Sequence, residues 1–286
     1  MKKYFSLVLF AHSVFALPFA LIGFFLGVTT VQTSFEWDLL LKVLFCMVFA
    51  RNSAMAFNRY LDRYIDAKNP RTAMRDIPAG KVSANEALLF VIINAVLFVG
   101  TTALINPLCL YLSPIALFVV LFYSFTKRFT AFCHLVLGAG LALAPVGAFV
   151  AVTGFFEVVP VLYAFAVLFW VSGFDIIYAL QDEEFDRGEG LRSIPVVLGR
   201  KGALRLSIAL HMLSAACVII PVFFIAFGYF YYVGVAFFCF MLIYQHSLVK
   251  PSDISKVNKA FATTNGYASV VFAICFLVDI FIRTTH

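Results

Sequence analysis

The strongest constraint in this sequence is a series of nine uninterrupted apolar stretches, each of roughly 17 residues or more, long enough to cross a bilayer. In lipid the backbone has no water to bond, so a single stretch must satisfy its own hydrogen bonds as a helix, whereas an outer-membrane barrel needs alternating apolarity. We therefore expect an all-α membrane protein with nine transmembrane helices around a central cavity. The predicted spans cover approximately residues 5–28, 39–55, 84–105, 107–123, 132–152, 158–180, 203–227, 230–248 and 261–282.

Composition supports a lipid environment and excludes several classes of protein. Of the 286 residues 63% are apolar and 13% charged, and the mean hydropathy is +0.98. A soluble fold, at about 45–50% apolar residues, could not bury this surplus. A secreted disulfide scaffold, a disordered chain and a nucleic-acid-binding module are excluded, although the net charge is +6. The six cysteines lie inside apolar stretches without paired spacing, as expected of small buried apolar residues.

The distribution of basic residues predicts the orientation of the chain. With a cytoplasmic amino terminus, all but two of the 21 Lys and Arg residues fall on the cytoplasmic side, the exceptions being Lys42 and Arg283. This bias follows the positive-inside rule and places the carboxyl terminus outside. The first stretch, preceded by Lys2 and Lys3, is too long for the apolar region of a signal peptide and is predicted to be retained.

Two acidic clusters at cytoplasmic helix ends carry the functional information. Asn58, Asp62 and Asp66 are spaced four residues apart, which puts them on one helical face with about 6 Å between neighbours. Because the two like charges repel, a positive group is expected between them. Tyr178, Asp182 and Asp186 repeat this spacing at the end of the sixth span.

Asp175 lies one turn further into the membrane than Tyr178, and an ionisable side chain there is a functional candidate. The two clusters, 58–66 and 178–186, correspond position by position, and each precedes a basic loop that contains Gly and Pro. We interpret this as a weak internal duplication within a single domain, 1–286, whose halves face one cavity.

The acids could instead be solvated helix ends paired with Arg59, Arg63 and Arg187. The presence of two clusters with matched spacing on one membrane side favours a functional site instead. Carboxylate oxygens are ligands that Mg²⁺ prefers, with phosphate oxygens and water completing its coordination. Basic residues near the clusters could bind the remaining phosphate oxygens; these are Arg71, Arg75, Lys127, Arg128 and Arg192. A diphosphate attached to a group that sits among apolar side chains is an isoprenyl diphosphate.

At these residues the sequence resembles the UbiA family of intramembrane prenyltransferases. The family pattern Asn-x-x-x-Asp-x-x-x-Asp matches Asn58, Asp62 and Asp66, and the second acidic motif matches Asp182 and Asp186 with Tyr178 before them. Further matches lie at 12–19, 71–75, 123–130 and 191–195. Within the family the chain is most similar to bacterial 4-hydroxybenzoate polyprenyltransferases and to the related enzymes that prenylate a dihydroxynaphthoate in menaquinone synthesis.

The resemblance implies a fold, a mechanism, substrates and a location. A UbiA-type fold in the bacterial inner membrane would transfer a polyprenyl group from a polyprenyl diphosphate to a hydroxylated aromatic acid, in ubiquinone or menaquinone synthesis. Mg²⁺ assists ionisation of the allylic C–O bond, and the acceptor ring captures the resulting cation. The implied metal ligands are Asn58, Asp62, Asp66, Asp182 and Asp186; the implied substrate-binding residues are Asn58, Arg71, Arg75, Lys127, Arg128, Tyr178 and Arg192.

Several alternatives remain open at this point. Asp175 is expected to orient the acceptor or a metal-bound water, or else to form a buried hydrogen bond to Tyr178 or Asn58. Lys127 and Arg128 could bind phosphate or the acceptor carboxylate, or serve only as topological charges. Other acceptors are 1,4-dihydroxy-6-naphthoate, haem, chlorophyllide and a glycerol-phosphate lipid. A transporter also has duplicated halves, but it needs a second gate on the outer side, which is poor in charge.

Overall fold

A computed structural model describes residues 15–284, and this part of the chain is helical with no extended strand. The helices are α1 (Leu17–Thr30), α2 (Trp37–Lys68), α3 (Ala84–Ala103), α4 (Pro107–Thr126), α5 (Cys133–Thr153), α6 (Val158–Ala179), α7 (Glu183–Gly188), α8 (Ile194–Ile219), α9 (Tyr229–Leu248) and α10 (Asn265–Thr284). A 3-10 turn, Leu180–Asp182, separates α6 from α7, a second, Ile220–Phe223, follows α8, and a π-helix, Lys259–Thr264, precedes α10.

Eight of the described segments are long and apolar enough to span a membrane, and the shorter helix α1 is also apolar. The chain is thus an integral membrane protein, and the predicted all-α class is confirmed. The first predicted span begins at residue 5. Its residues 5–14, which include His12, lie outside the described residues, as do Lys2 and Lys3 before it.

Two compact units are distinguishable, and residues 36–126 form the first. Its helix α2 packs against α3 and α4. Asn52 Nδ2 donates to Asn94 Oδ1 (3.1 Å), and Ser53 Oγ donates to the Val91 carbonyl (3.4 Å). Such polar contacts between helices stabilise packing where lipid supplies no hydrophobic driving force.

The length of α2 determines where the first acidic motif lies. Its 32 residues extend roughly 48 Å, whereas the hydrocarbon core of a bilayer is about 30 Å thick. The last turns of α2, with Asn58, Asp62 and Asp66, can therefore extend past the apolar layer. The segment Val158–Gly188, which contains the second motif, is nearly as long at 31 residues.

Residues 15–35 and 127–284 form the second unit. Here α6 packs against α5 and α8, α1 packs against α5 and α10, and α9 packs against α10. Close helix contacts depend on glycine: a Cβ at Gly23 of α1 would collide with the Pro145 backbone of α5. Trp170 and Tyr163 are fully buried at the centre of the unit, and Trp170 Nε1 donates to Asn265 Oδ1 (2.9 Å).

Candidate active site

The first acidic motif lies on one face of one continuous helix, which confirms the helix predicted from the four-residue spacing. Asn58 Nδ2 donates to Asp62 Oδ2 (3.0 Å), so the two side chains are held together. Asp66 is buried, and Arg75 Nη1 contacts both of its carboxylate oxygens at 2.8 and 3.0 Å. Arg75 is thus a cation that compensates the negative charge of this motif.

The loop after α2 folds back onto the end of that helix and carries Arg75 to Asp66. Thr72 Oγ1 donates to the Asp66 carbonyl (3.0 Å), and Asn69 Oδ1 accepts from the backbone N–H of Arg71 (2.9 Å). Asn69 and Thr72 are both buried, whereas Arg71 is exposed. Local hydrogen bonds between side chain and backbone therefore fix the loop and leave the Arg71 side chain at the surface.

The second acidic motif does not lie on a single regular helix. Helix α6 ends at Ala179, the 3-10 turn follows, and Asp186 lies on α7. A 3-10 turn advances about 120° per residue instead of about 100°, so Tyr178, Asp182 and Asp186 do not share one face as their spacing predicts. Asp182 and Asp186 are both buried.

Lys127 pairs with Asp186: its Nζ lies 2.7 Å from Asp186 Oδ1. The Asp186 side chain is fully buried, and about a third of the Lys127 side chain is exposed. A buried carboxylate requires a compensating cation because its desolvation is costly. The structure therefore brings together two of the residues that the sequence analysis selected, Lys127 after the fourth predicted span and Asp186 after the sixth.

The segment of Arg192 is attached to the segment of Lys127 by backbone contacts. The Arg192 N–H donates to the Lys127 carbonyl (2.8 Å), and Arg192 Nη1 donates to the Phe129 carbonyl (3.1 Å). The Leu191 N–H donates to the carbonyl of Asp186 (2.8 Å). Hydrogen bonds and one ion pair thus connect Lys127, Asp186 and Arg192 within the second unit. Arg128 adjoins Lys127 in the chain.

Glu183, which the sequence analysis did not select, is a structural acid. Its two carboxylate oxygens pair with Arg187 Nη2 and Arg200 Nε, each at 2.9 Å. Arg63, by contrast, lies over the rings of Tyr60 and Tyr64, with its Cζ 4.6 and 4.4 Å from their centroids. Of the arginines named in the salt-bridged alternative, Arg187 thus pairs with Glu183, an acid outside the two motifs.

Asp175 bonds to a histidine that the sequence analysis left outside both motifs. His134 Nδ1 lies 2.6 Å from Asp175 Oδ2, and the Ile194 N–H donates to His134 Nε2 (3.4 Å). This partner is neither Tyr178 nor Asn58, which the buried alternative had named. A lone histidine at the start of a span gives no signal by spacing, since 41 residues separate it from Asp175.

Tyr178, the first residue of the second motif, packs at the edge of an aromatic cluster. Its ring lies 4.2 Å from that of Phe261, which in turn contacts Phe174 and Phe15 at centroid distances of 5.4 and 5.5 Å. Phe261 belongs to the π-helix, a local irregularity found often at functional sites. Aromatic faces of this kind stabilise positive charge without reacting with it.

Comparison with known proteins agrees with this combination of fold and acidic motifs. The profile of the UbiA prenyltransferase family matches residues 16–273. The chain belongs to the UbiA prenyltransferase family. It is therefore an intramembrane prenyltransferase, with the fold class that the sequence predicted.

Curated relatives and solved structures show the same relationship. A UbiA-family enzyme of Vibrio parahaemolyticus, named 4-hydroxybenzoate octaprenyltransferase, is 30% identical over 85% of each chain, and one from Shewanella pealeana is 32% identical over 82% of each. The apo structure of a UbiA homologue from Aeropyrum pernix K1 aligns with a TM-score of 0.80 at 32% identity, covering 96% of this chain and 98% of that one.

A second UbiA homologue, from Archaeoglobus fulgidus, was solved bound to DMAPP and Mg²⁺. It aligns with a TM-score of 0.78 over 98% of this chain and 99% of its own, at 22% identity, and so supports the fold alone.

The donor chemistry of this UbiA-family chain suits Mg²⁺. Aspartate and amide oxygens are its preferred protein ligands, and one or two carboxylates per ion suffice when phosphate and water complete the octahedron. Within each unit, the described residues contain no group of three His, Cys, Asp or Glu side chains that could hold a metal by themselves. The carboxylate and amide oxygens of the two motifs are, by their chemistry, a donor set that fits Mg²⁺.

Proposed function

We propose that this chain transfers a polyprenyl group from a polyprenyl diphosphate to the ring of a hydroxylated aromatic acid of the 4-hydroxybenzoate type, in ubiquinone or menaquinone biosynthesis. The observation that carries the proposal is the 30% identity, over 85% of the chain, to an enzyme named for this reaction. The acidic motifs, the basic loops beside them and the aromatic surroundings of Tyr178 are consistent with such substrates.

At the diphosphate, each residue type has a distinct role. Asn58, Asp62, Asp66, Asp182 and Asp186 would hold Mg²⁺, which when bound neutralises the departing diphosphate and lowers the barrier to breaking the allylic C–O bond. Basic side chains donate to phosphate oxygens that the metal leaves uncoordinated; these are Arg71, Arg75, Lys127, Arg128 and Arg192. Arg75 and Lys127 keep Asp66 and Asp186 compensated before the substrate arrives.

At the prenyl group, the C–O bond breaks and its electron pair leaves with the diphosphate. The rings of Tyr178 and Phe261 stabilise the positive charge that develops on the allylic carbons. A ring carbon of the acceptor then forms the new C–C bond, and the proton on that carbon is lost to a base or to water. Asp175 orients the acceptor by accepting a hydrogen bond from its hydroxyl group, which sets the angle of attack.

We propose further that the chain forms one prenyltransferase domain in the bacterial cytoplasmic membrane. Support for one domain comes from the family match, which runs from residue 16 to 273. The amino terminus is assigned to the cytoplasm and the carboxyl terminus to the outside, because almost all Lys and Arg residues then lie in the cytoplasm.

The test is a turnover assay on purified protein in liposomes. A polyprenyl diphosphate is supplied with 4-hydroxybenzoate, or separately with 1,4-dihydroxy-6-naphthoate, first with Mg²⁺ and then with excess EDTA. We expect a prenylated product that depends on Mg²⁺, and the acceptor that reacts identifies the quinone pathway. Folded protein that prenylates neither acceptor contradicts the proposal, and the haem, chlorophyllide and glycerol-phosphate acceptors, followed by transport, are then assayed.

A further inference from the structure

His134 is a buried histidine at the start of α5 that uses both of its ring nitrogens. It is 3% exposed, with Nδ1 on Asp175 and Nε2 on the backbone N–H of Ile194. A backbone N–H can only donate, so Nε2 accepts and the ring proton lies on Nδ1, where it donates to Asp175 Oδ2. The two contacts together define one tautomer and one ring orientation.

This contact leaves part of the Asp175 carboxylate accessible. Its side chain is 22% exposed, and among the described residues its hydrogen-bond partner is His134, through Oδ2. Oδ1 is therefore available to accept a hydrogen bond from a substrate. An aspartate with one fixed oxygen presents the other in a defined direction, whereas an aspartate without a partner rotates about its side-chain torsions.

The second nitrogen connects Asp175 to the cluster that contains Lys127 and Asp186. Ile194, which donates to His134, closely follows Arg192, whose backbone and side chain contact the carbonyls of Lys127 and Phe129. The backbone of His134 is also anchored, because its carbonyl accepts from Ser172 Oγ on α6 (3.1 Å). His134 thus contacts both the aspartate on α6 and the loop that carries Arg192.

We infer that His134 is a positioning residue for the acceptor: its Nδ1–H holds Asp175 Oδ2, so that Asp175 Oδ1 meets the acceptor hydroxyl in the orientation required for transfer. The inference rests on the proposed function, since it assigns a role within that reaction. His134 itself contacts no reacting atom and acts through Asp175.

Two substitutions, each of which reproduces one ring nitrogen of His134, allow the two contacts of the ring to be tested separately. The amide nitrogen of asparagine occupies the place of Nδ1, so His134→Asn can still donate to Asp175 but cannot reach Ile194. The amide of glutamine occupies the place of Nε2, so His134→Gln retains the Ile194 contact and loses the donor to Asp175. Asparagine is one methylene shorter than glutamine, and the two variants differ in which hydrogen bond survives.

The experiment measures initial rates in liposomes with Mg²⁺ and a polyprenyl diphosphate, varying whichever of 4-hydroxybenzoate and 1,4-dihydroxy-6-naphthoate the wild type prenylates. His134→Ala and His134→Gln are expected to lower kcat/KM for the acceptor about 10- to 100-fold, a typical loss when the partner of a functional side chain is removed. His134→Asn is expected to retain most of the acceptor kcat/KM. The KM for the diphosphate is expected to change less than about three-fold in all three variants.

A double-mutant cycle with Asp175→Asn distinguishes positioning from general packing. If His134 acts through Asp175, His134→Ala causes little further loss in the Asp175→Asn background, and the two effects are far from additive. The matched control is His246→Asn, which removes a histidine hydrogen bond to buried His211 in the same unit. The control is expected to leave the acceptor KM unchanged, and melting temperatures of all variants show whether each is folded.

The inference is overturned if His134→Asn and His134→Gln lose acceptor kcat/KM equally, or if the His134 and Asp175 effects are additive. Both results would mean that the ring only fills space or secures the loop. If His134→Ala is too unstable to purify, the comparison of His134→Asn with His134→Gln decides whether the inference holds. Absence of turnover by the wild type with either acceptor contradicts the proposed function and this inference together, whereas wild-type turnover with additive variants contradicts this inference alone.

Discussion

The two acidic motifs have the same four-residue spacing but different local structures. Asn58, Asp62 and Asp66 lie on the uninterrupted helix α2, whereas Asp182 ends a 3-10 turn and Asp186 lies on the following short helix. Equal spacing in sequence therefore gives equal geometry only where the backbone is regular. Neither Gly nor Pro marks the irregular turn, so nothing in the residue types at 175–186 signals it.

In each motif, nevertheless, a basic residue compensates the charge of a buried aspartate. Asp66 lies near the carboxyl end of α2, where the helix carbonyls disfavour negative charge, and Arg75 from the following loop compensates it. Asp186 is compensated by Lys127, which is distant in sequence. The compensating cation is thus close in sequence to its aspartate in the first motif and distant from it in the second. This difference leads to the predictions below.

The largest effect is expected from removing one aspartate of either motif. Asp62→Ala and Asp182→Ala should each reduce turnover on the order of 10³-fold or more, because the developing diphosphate charge then loses its stabilisation. Rates are measured in liposomes alongside membrane abundance and melting temperature. Cys109→Ala serves as control and should be nearly silent. Full activity in either aspartate variant would remove that motif from the metal site.

The two compensating cations are compared through Lys127→Met and Arg75→Met. Each leaves a buried carboxylate without its cation and should lower the free energy of unfolding by about 1–3 kcal/mol, with a higher KM for the diphosphate. Asp186→Asn added to Lys127→Met, and Asp66→Asn added to Arg75→Met, should restore stability but not activity. If the double variants are no more stable than the single ones, the ion pairs do not account for the loss.

Adjacent acids in the second motif provide a sharper comparison. Asp182→Asn should greatly reduce activity, whereas Glu183→Gln should leave kcat and both KM values within about two-fold. The cost of Glu183→Gln is expected in stability, about 1 kcal/mol, because Arg187 loses its charged partner and Arg200 keeps only Glu184, 3.6 Å away, while both arginines remain partly solvated. Thermal melting and initial rates of the two variants decide; equal activity losses would show that Glu183 also serves the reaction.

The last comparison concerns stability alone, in the loops that follow the motifs. Gly80 and Gly190 have φ values of +73° and +69°, and a Cβ at either position would have open space around it. Only the left-handed backbone should then oppose a side chain, and Gly80→Ala and Gly190→Ala should each cost about 1–2 kcal/mol. Melting curves test whether the two loops respond alike. A much larger loss at one of them would mean that its loop has a second constraint.

The sequence predicts well whatever depends on long apolar stretches and on regular helices. The all-α class and the helix that carries Asn58, Asp62 and Asp66 both follow from repeated local patterns. Contacts between distant residues leave no such pattern. His134 with Asp175 and Lys127 with Asp186 depend on how α5, α6 and α7 pack, and the neutralisation of Glu183 depends on Arg200 in α8. Single-residue types and spacing carry no information about these partners.

The pairing of Lys127 with Asp186 also has a consequence for biosynthesis. During translation Lys127 is made roughly 60 residues before Asp186, an interval of about 3–12 s at typical elongation rates. In the orientation proposed above, its ammonium group has no Asp186 to pair with during that interval and helps to retain the loop in the cytoplasm while the next two spans insert. In that orientation one lysine acts first as a topogenic signal in the nascent chain and later as the partner of the buried aspartate in the mature protein.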